Sequence, residues 1–154
     1  MASSRKVRAA LKKLLEPHLE AEGFSGRYPH FRRREGERLH LLSVVHDKWG
    51  GGFVLEFADH APGPLTTPWG AVVEEADLDV AYASSDQRAR LVSTESARGM
   101  AEDFYRYEHI REDRAACEAL VSEVVQRFPQ VNEWLRTGGC GPHIAPYSPS
   151  SATS

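Results

Sequence analysis

Hydrophobic and polar positions alternate most clearly between Phe31 and Phe57, in FRRREGERLHLLSVVHDKWGGGFVLEF. Leu39, Leu41, Ser43, Val45 and Asp47 alternate with His40, Leu42, Val44 and His46, and a strand places these two sets on opposite faces. Leu39 to Val45 is apolar on both faces apart from His40 and Ser43, the pattern of a central strand. In Phe53-Val54-Leu55-Glu56-Phe57 the two phenylalanines and Leu55 share one face. Trp49-Gly50-Gly51-Gly52 between the runs predicts a hairpin, and Arg34-Glu35-Gly36-Glu37 predicts another. Pairing Lys48 with Phe53 would set His46 opposite Leu55 and Val44 opposite Phe57, with Val44, Phe53, Leu55 and Phe57 on the inner face.

Helical spacing brackets this sheet. Val7, Leu11, Leu14, Leu15, His18 and Leu19 form one apolar stripe, with Ser3 or Ser4 as cap and Pro17 as a kink or break near Glu16. Gly23 fits a left-handed helix end, and Phe24 its hydrophobic contact. Arg27 to Glu35 is expected as an edge strand, because Pro29 lacks a donor. ADHAPGPLTTPWG after Phe57 reads as a long loop, followed by strands at about 71–75 and 88–92. Ser96 to Tyr105 suggests a short helix. From Ile110 onward a helix carries Ala116, Leu120, Val121, Val124, Val125 and Phe128. Pro129 closes it or opens a last helix with Val131, Trp134 and Leu135, ended by Gly138-Gly139. The expected fold is α+β: a mainly antiparallel sheet, with hairpins around residues 28–60, covered by an N-terminal helix and C-terminal helices. Residues 1–137 form the single domain of this reading, and the Gly, Pro and Ser content of 138–154 predicts a flexible tail.

Composition narrows the class. The 154 residues are 41% hydrophobic and 27% charged, ordinary for a globular domain. No apolar run approaches the ~20 residues needed to cross a bilayer. The N-terminus lacks an apolar signal core, and the two cysteines, Cys117 and Cys140, then point to a cytoplasmic protein with free thiols. Charge is uneven: residues 1–48 hold 11 Lys/Arg against 6 Asp/Glu, and residues 49–154 hold 8 against 16. The first part is net positive and the second net negative, which marks either two solvated faces or a partner surface.

The order and spacing of several short motifs resemble the bacterial family known as domain of unknown function 4304. They are Leu19-x-x-x-Gly23-Phe24, Phe31-Arg32, Gly36, His46-Asp47-Lys48, Phe53-Val54-Leu55-Glu56-Phe57, Arg88-Ala89-Arg90-Leu91, Asp103-Phe104-Tyr105 and Phe128-Pro129-x-Val131-x-x-Trp134-Leu135. The resemblance spans about residues 7–136. It implies a mixed α+β domain and supplies no activity, ligand or catalytic residue. His46 stands where members tend to have Gln, and Phe104-Tyr105 where they tend to have Trp.

Several chemistries lack their residues. Trp49-Gly50-Gly51-Gly52 has no following Lys-Ser/Thr, so it is no P-loop, and neither a GxSxG elbow nor a CxxC pair occurs. The acidic run Glu74, Glu75, Asp77, Asp79 lacks calcium-loop spacing. His40 and His46 lie about 20 Å apart on one strand, too far to share a metal. No cofactor or metal is therefore expected. A non-catalytic binding module with a protein partner is the leading reading, immunity-like by analogy alone. Its candidate contacts are Arg32, Arg34, His46, Trp49, His60 and Trp69. One alternative is an enzyme with a pocket near His46, Asp59 and His60, joined by His109. Another is weak nucleic-acid binding through the basic N-terminal helix and Arg32–Arg34, disfavoured by the net charge of −3.

Overall fold

The computed structural model describes residues 4–93, 104–110 and 113–147. A helical run opens the fold: α1 (Arg5–Ala10), a π-helical turn (Leu11–Leu15) and α2 (Glu16–Ala21). Then come β1 (Ser25–Arg27), β2 (His30–Glu35), β3 (Arg38–His46) and β4 (Gly52–His60). The small hairpin β5 (Leu65–Thr66) and β6 (Val72–Val73) leads through three single 3-10 turns, Glu75–Asp77, Val80–Tyr82 and Ser85–Gln87, to β7 (Arg88–Leu91). The remaining elements are β8 (Tyr105–Arg106), α3 (Arg114–Gln126), α4 (Phe128–Thr137) and β9 (Ile144–Pro146). Seven strands form one antiparallel sheet in the order β1-β2-β3-β4-β7-β9, with β8 pairing β4 beside β7. The α+β architecture and the helical cover are those the periodicities predict.

Four local expectations are corrected. The β3–β4 register differs by two residues: His46 pairs with Phe53 and Val44 with Leu55. Gly50 and Gly51 both take positive φ, and the Asp47 side chain accepts from the Trp49 amide at 2.9 Å, so the turn is longer than the glycine count suggested. A slip of two keeps every side chain on its face, which is why the inner face survives. β2 is not a free edge, because β1 pairs with its first half, Ser25 opposite Arg32. β6 joins β5 rather than the main sheet. Within the segment expected as a flexible tail, Ile144–Pro146 pairs with β7, and Ile144 and Ala145 are buried. Residues 148–154 of that tail, and most of the helix expected over Ser96–Tyr105, lie outside the described residues.

Pro17 is accommodated without ending the helix. The turn before it widens to i→i+5, with the Glu16 amide bonded to the Leu11 carbonyl, and Pro17 enters in the first turn of α2, where its missing donor costs least. Gly23, at φ +93°, then closes α2: its amide bonds Glu20 O at 3.0 Å, and the Phe24 amide bonds Leu19 O at 2.8 Å. The later helix begins at Arg114, capped by Asp113, whose carboxylate accepts from the Ala116 amide at 3.1 Å. Pro129 opens α4.

The sheet carries two layers. On its first face Phe31, Leu42, Val44, Phe53, Leu55 and Phe57 pack against Leu11, Leu15 and Leu19 of the N-terminal run and against the buried faces of α3 and α4. Each such side chain contributes about 1.5–3 kcal/mol by leaving water. On the second face Leu39, Leu41 and Ala58 meet Leu78, Val80 and Ala83 from the 3-10 turns. The most basic and the most acidic segments of the sequence thus lie on different layers. Residues 5–13, on the first layer, hold five Lys/Arg and no carboxylate; residues 74–87, on the second, hold five Asp/Glu and no Lys/Arg.

Candidate functional site

The end of β3 gathers the one polar cluster built around a sequence-selected histidine. The last residue of β3, His46, faces the first layer and lies between two tyrosines. Its Nε2 shares a hydrogen bond with the Tyr28 hydroxyl, and its Nδ1 lies 3.3 Å from the Tyr107 hydroxyl. Tyr28 sits in the bend between β1 and β2, and Tyr107 directly follows β8, so the histidine joins two strand connections. Arg8 of α1 lies over the Tyr28 ring at 5.8 Å. Burial, then the nearby Arg8 charge, lowers the His46 pKa. Burial also raises Tyr107 and pushes Tyr28 up to about 12. All three groups are therefore neutral near pH 7. A neutral imidazole has one donor and one acceptor, so one tyrosine donates to it and the other accepts from it. The arrangement is an uncharged clamp between β1–β2 and β8.

Asp47, next in the chain, points the other way and anchors the Trp49 turn. It accepts from the Trp49 amide, and Arg106 Nη1 lies 2.9 Å from its other oxygen. Those bonds, the Trp49 amide first, lower its pKa. Trp49 itself is 80% exposed, with Lys48 Nζ 5.3 Å from its ring.

The other selected residues are dispersed. Arg32 lies on the second face and spends its guanidinium on backbone: it donates to the carbonyls of Glu75, Ala76 and Leu78 at 2.7, 3.0 and 2.7 Å, fixing the 3-10 layer to β2. Arg34 is exposed beside Glu75, at 3.6 Å. His60 is buried and donates from Nδ1 to the Ala61 carbonyl at 2.6 Å. Trp69, 78% exposed, crowns the β5–β6 hairpin next to Val72 at 59%.

Two alternatives lose their geometry here. Asp59 and His60 pair with His40 and Leu39, six and seven residues along β3 from His46, or about 20 Å. His60 also faces the opposite layer, and His109 lies exposed in the turn after β8, so the structure builds no common pocket around these groups. The combined basic surface is likewise absent, because the N-terminal helix covers the first face while Arg32 and Arg34 lie on the second.

Sequence reasoning missed two further constellations, since both assemble across strands. Glu56, buried on the second face, accepts from Arg88 Nη2 at 3.0 Å, Arg90 Nε at 2.9 Å and the Tyr147 hydroxyl at 2.6 Å. Burial pushes its pKa up, but the bonds from Tyr147, Arg90 and Arg88 outweigh it and leave the carboxyl below its ordinary value. This lock holds the C-terminal strand. On the first face Arg33, buried against the Phe24 ring, bonds His40, the Glu22 carbonyl and Asn132 Oδ1. Among the described residues no group of three His, Cys, Asp or Glu is placed to hold a metal. No helix among them is long and apolar enough to cross a membrane.

The family described as Domain of unknown function (DUF4304) matches residues 15–136. The chain belongs to that family. The β3–β4 hairpin and the His46 clamp lie inside the matched region, while all of α1 and all of β9 lie outside it. A DNA polymerase of Bacillus phage SP01 is 37% identical over 79 residues. That stretch is 51% of this chain and only 8% of the polymerase, so the likeness concerns a small part of that enzyme. No solved structure matches significantly.

Proposed function

We propose that this DUF4304 domain is a non-catalytic binding module that docks a protein partner through its second, acidic layer. The observation that carries this reading is the β5–β6 hairpin. Its Leu65 and Val73 pack on the core, while Trp69 and Val72 stand out at 78% and 59% exposure. Tyr82, at 41%, lies on the same layer, and the segment that builds this layer, residues 74–87, carries Glu74, Glu75, Asp77, Asp79 and Asp86. Tryptophan and tyrosine exposed within a charged rim are the residue types that dominate interface energetics. The matching partner is a basic surface with an apolar pocket. Trp49, at the far end of β4, offers a second contact.

The test is cross-linking in extracts of cells carrying the gene, comparing the native chain with Trp69→Ala, Trp49→Ala and an Asp77→Asn, Asp79→Asn variant. The reading expects a basic protein that Trp69→Ala and the charge variant lose while their melting curves stay unchanged. Recovery of the same proteins by all variants, or of none, overturns it.

A second reading is contact with nucleic acid, favoured by the likeness to a stretch of a DNA polymerase. A low-salt gel shift with single-stranded and duplex DNA tests it; absence of any complex ends it.

A further inference from the structure

The first layer carries a cleft between α1 and α3, on the basic N-terminal helix. Arg5, Lys6, Ala9, Ala10 and Lys13 line one wall, and Arg114 and Glu118 the other, enclosing roughly 280 Å³. Four cations face one carboxylate, and Glu118 already holds Lys13 Nζ at 3.1 Å. Among the described residues the lining is net positive by three formal charges. Its apolar lining residues are Ala9 and Ala10, so no bulky apolar side chain lines it.

We propose that this cleft binds the phosphodiester backbone of a nucleic acid; the proposal rests on the second reading above and assigns it a surface. Three features select this ligand. The cations follow the helix axis, from Arg5 to Lys13 over eight residues or about 12 Å, a line suited to successive phosphates rather than to one small anion. Large exposed apolar side chains, which insertion into a lipid surface requires, are found among the described residues only at Trp49, Trp69, Val72, Tyr82 and Tyr147, none of them on α1 or α3. The aromatic anchors of a protein interface are missing from the lining for the same reason. The contacts are all to charge, so binding is sequence-independent and strongly salt-dependent.

The experiment is fluorescence anisotropy of the full chain with labelled oligonucleotides of about 20 units, single-stranded and duplex, between about 50 and 200 mM salt. Vesicles of phosphatidylserine and phosphatidylcholine form a parallel arm. Three net charges predict a log–log salt slope of about −2.7 on duplex and about −2 on single strands. Lys6→Ala and Arg114→Ala, both on the cleft and away from the core, each flatten the slope by about 1. Arg114→Glu weakens binding further, while Trp69→Ala leaves it unchanged. Circular dichroism melts verify that the variants fold. Complexes that form but ignore Lys6 and Arg114 would overturn the cleft assignment and leave nucleic-acid contact standing elsewhere. No complex at the lowest salt removes both. Binding to vesicles in preference to oligonucleotides overturns the ligand class.

Discussion

Arg33 reaches across the β2–β3 ladder to His40, its register partner, and gives Nδ1 two hydrogen bonds, from Nε at 3.1 Å and Nη2 at 2.9 Å. Both residues are buried, at 4% and 1% exposure. The acceptor role fixes the tautomer: His40 is neutral with its proton on Nε2, which faces Asp59 Oδ1 at 3.8 Å. Replacing His40 by Leu keeps the volume and strands part of a buried guanidinium. The expected loss is about 2 kcal/mol in urea unfolding, against less than about 0.5 kcal/mol for the exposed Arg34→Ala. Equal effects of the two substitutions would contradict this role.

Acid should weaken the fold in two stages. Burial, with Arg33 next, lowers the His40 pKa, and burial, with Arg8 next, lowers that of His46. The unfolded chain therefore binds protons first, so this contribution is complete above pH about 6.5 and declines as pH falls through the lowered folded values. Glu35, held to about 2 chiefly by its bonds from Arg136 at 2.8 and 2.9 Å, adds a second decline below its ordinary 4.5. Urea midpoints measured from pH 7.5 downward check both stages, and ring nitrogen shifts identify the histidines. A midpoint unchanged between about pH 7 and 5 would exclude the histidine stage.

At His46, Gln is the informative substitution. Its amide offers one acceptor and two donors, so it can bridge Tyr28 and Tyr107 as the imidazole does. His46→Gln should stay within about 0.5 kcal/mol of the native chain, and His46→Leu should cost about 1–3 kcal/mol by leaving the hydroxyls of half-buried Tyr28 and buried Tyr107 without their partner. The glutamine that the family resemblance places here would then be an equivalent bridge, and the clamp a structural device. If the glutamine variant is as unstable as the leucine one, the bridge is not what His46 supplies.

The fold was legible where one period ran unbroken. Alternation from Leu39 to Phe57 gave the central strands and their inner face, and the Leu11-Leu15-Leu19 stripe gave the first helix. The register was not legible, because a slip of two leaves the alternation unchanged and only the Asp47–Trp49 bond reveals the turn length. The last strand was hidden for a different reason. Ile144-Ala145-Pro146 is short and lies among glycine, proline and serine, and what orders it is Glu56, some ninety residues away through Tyr147. The candidate site was half legible: Trp49 and Trp69 are as exposed as turn positions suggest, but Arg32 looked like a free surface charge until the carbonyls of residues 75, 76 and 78 came to lie around it.

Removing β9 tests that long-range lock. A chain ending at Gly141 loses buried Ile144 and Ala145, and Glu56 loses the Tyr147 hydroxyl. The expected cost is about 3 kcal/mol, with most of it from the isoleucine. Tyr147→Phe alone should cost about 1 kcal/mol. A truncated chain as stable as the full one would mean that β9 adds nothing to the sheet.

The strands at the two borders of the main sheet are each three residues long, β1 at one side and β9, ending in Pro146, at the other. An outer strand of that length offers too few unpaired amides to recruit an eighth strand from a neighbouring copy, and Pro146 offers none. The long, apolar β3 and β4, which alone would be efficient seeds for fibrils, are enclosed on both sides. The short borders therefore act as stops, and lengthening either one, or deleting β9 to bare β7, should turn a self-limiting sheet into one that can grow by edge-to-edge addition of copies.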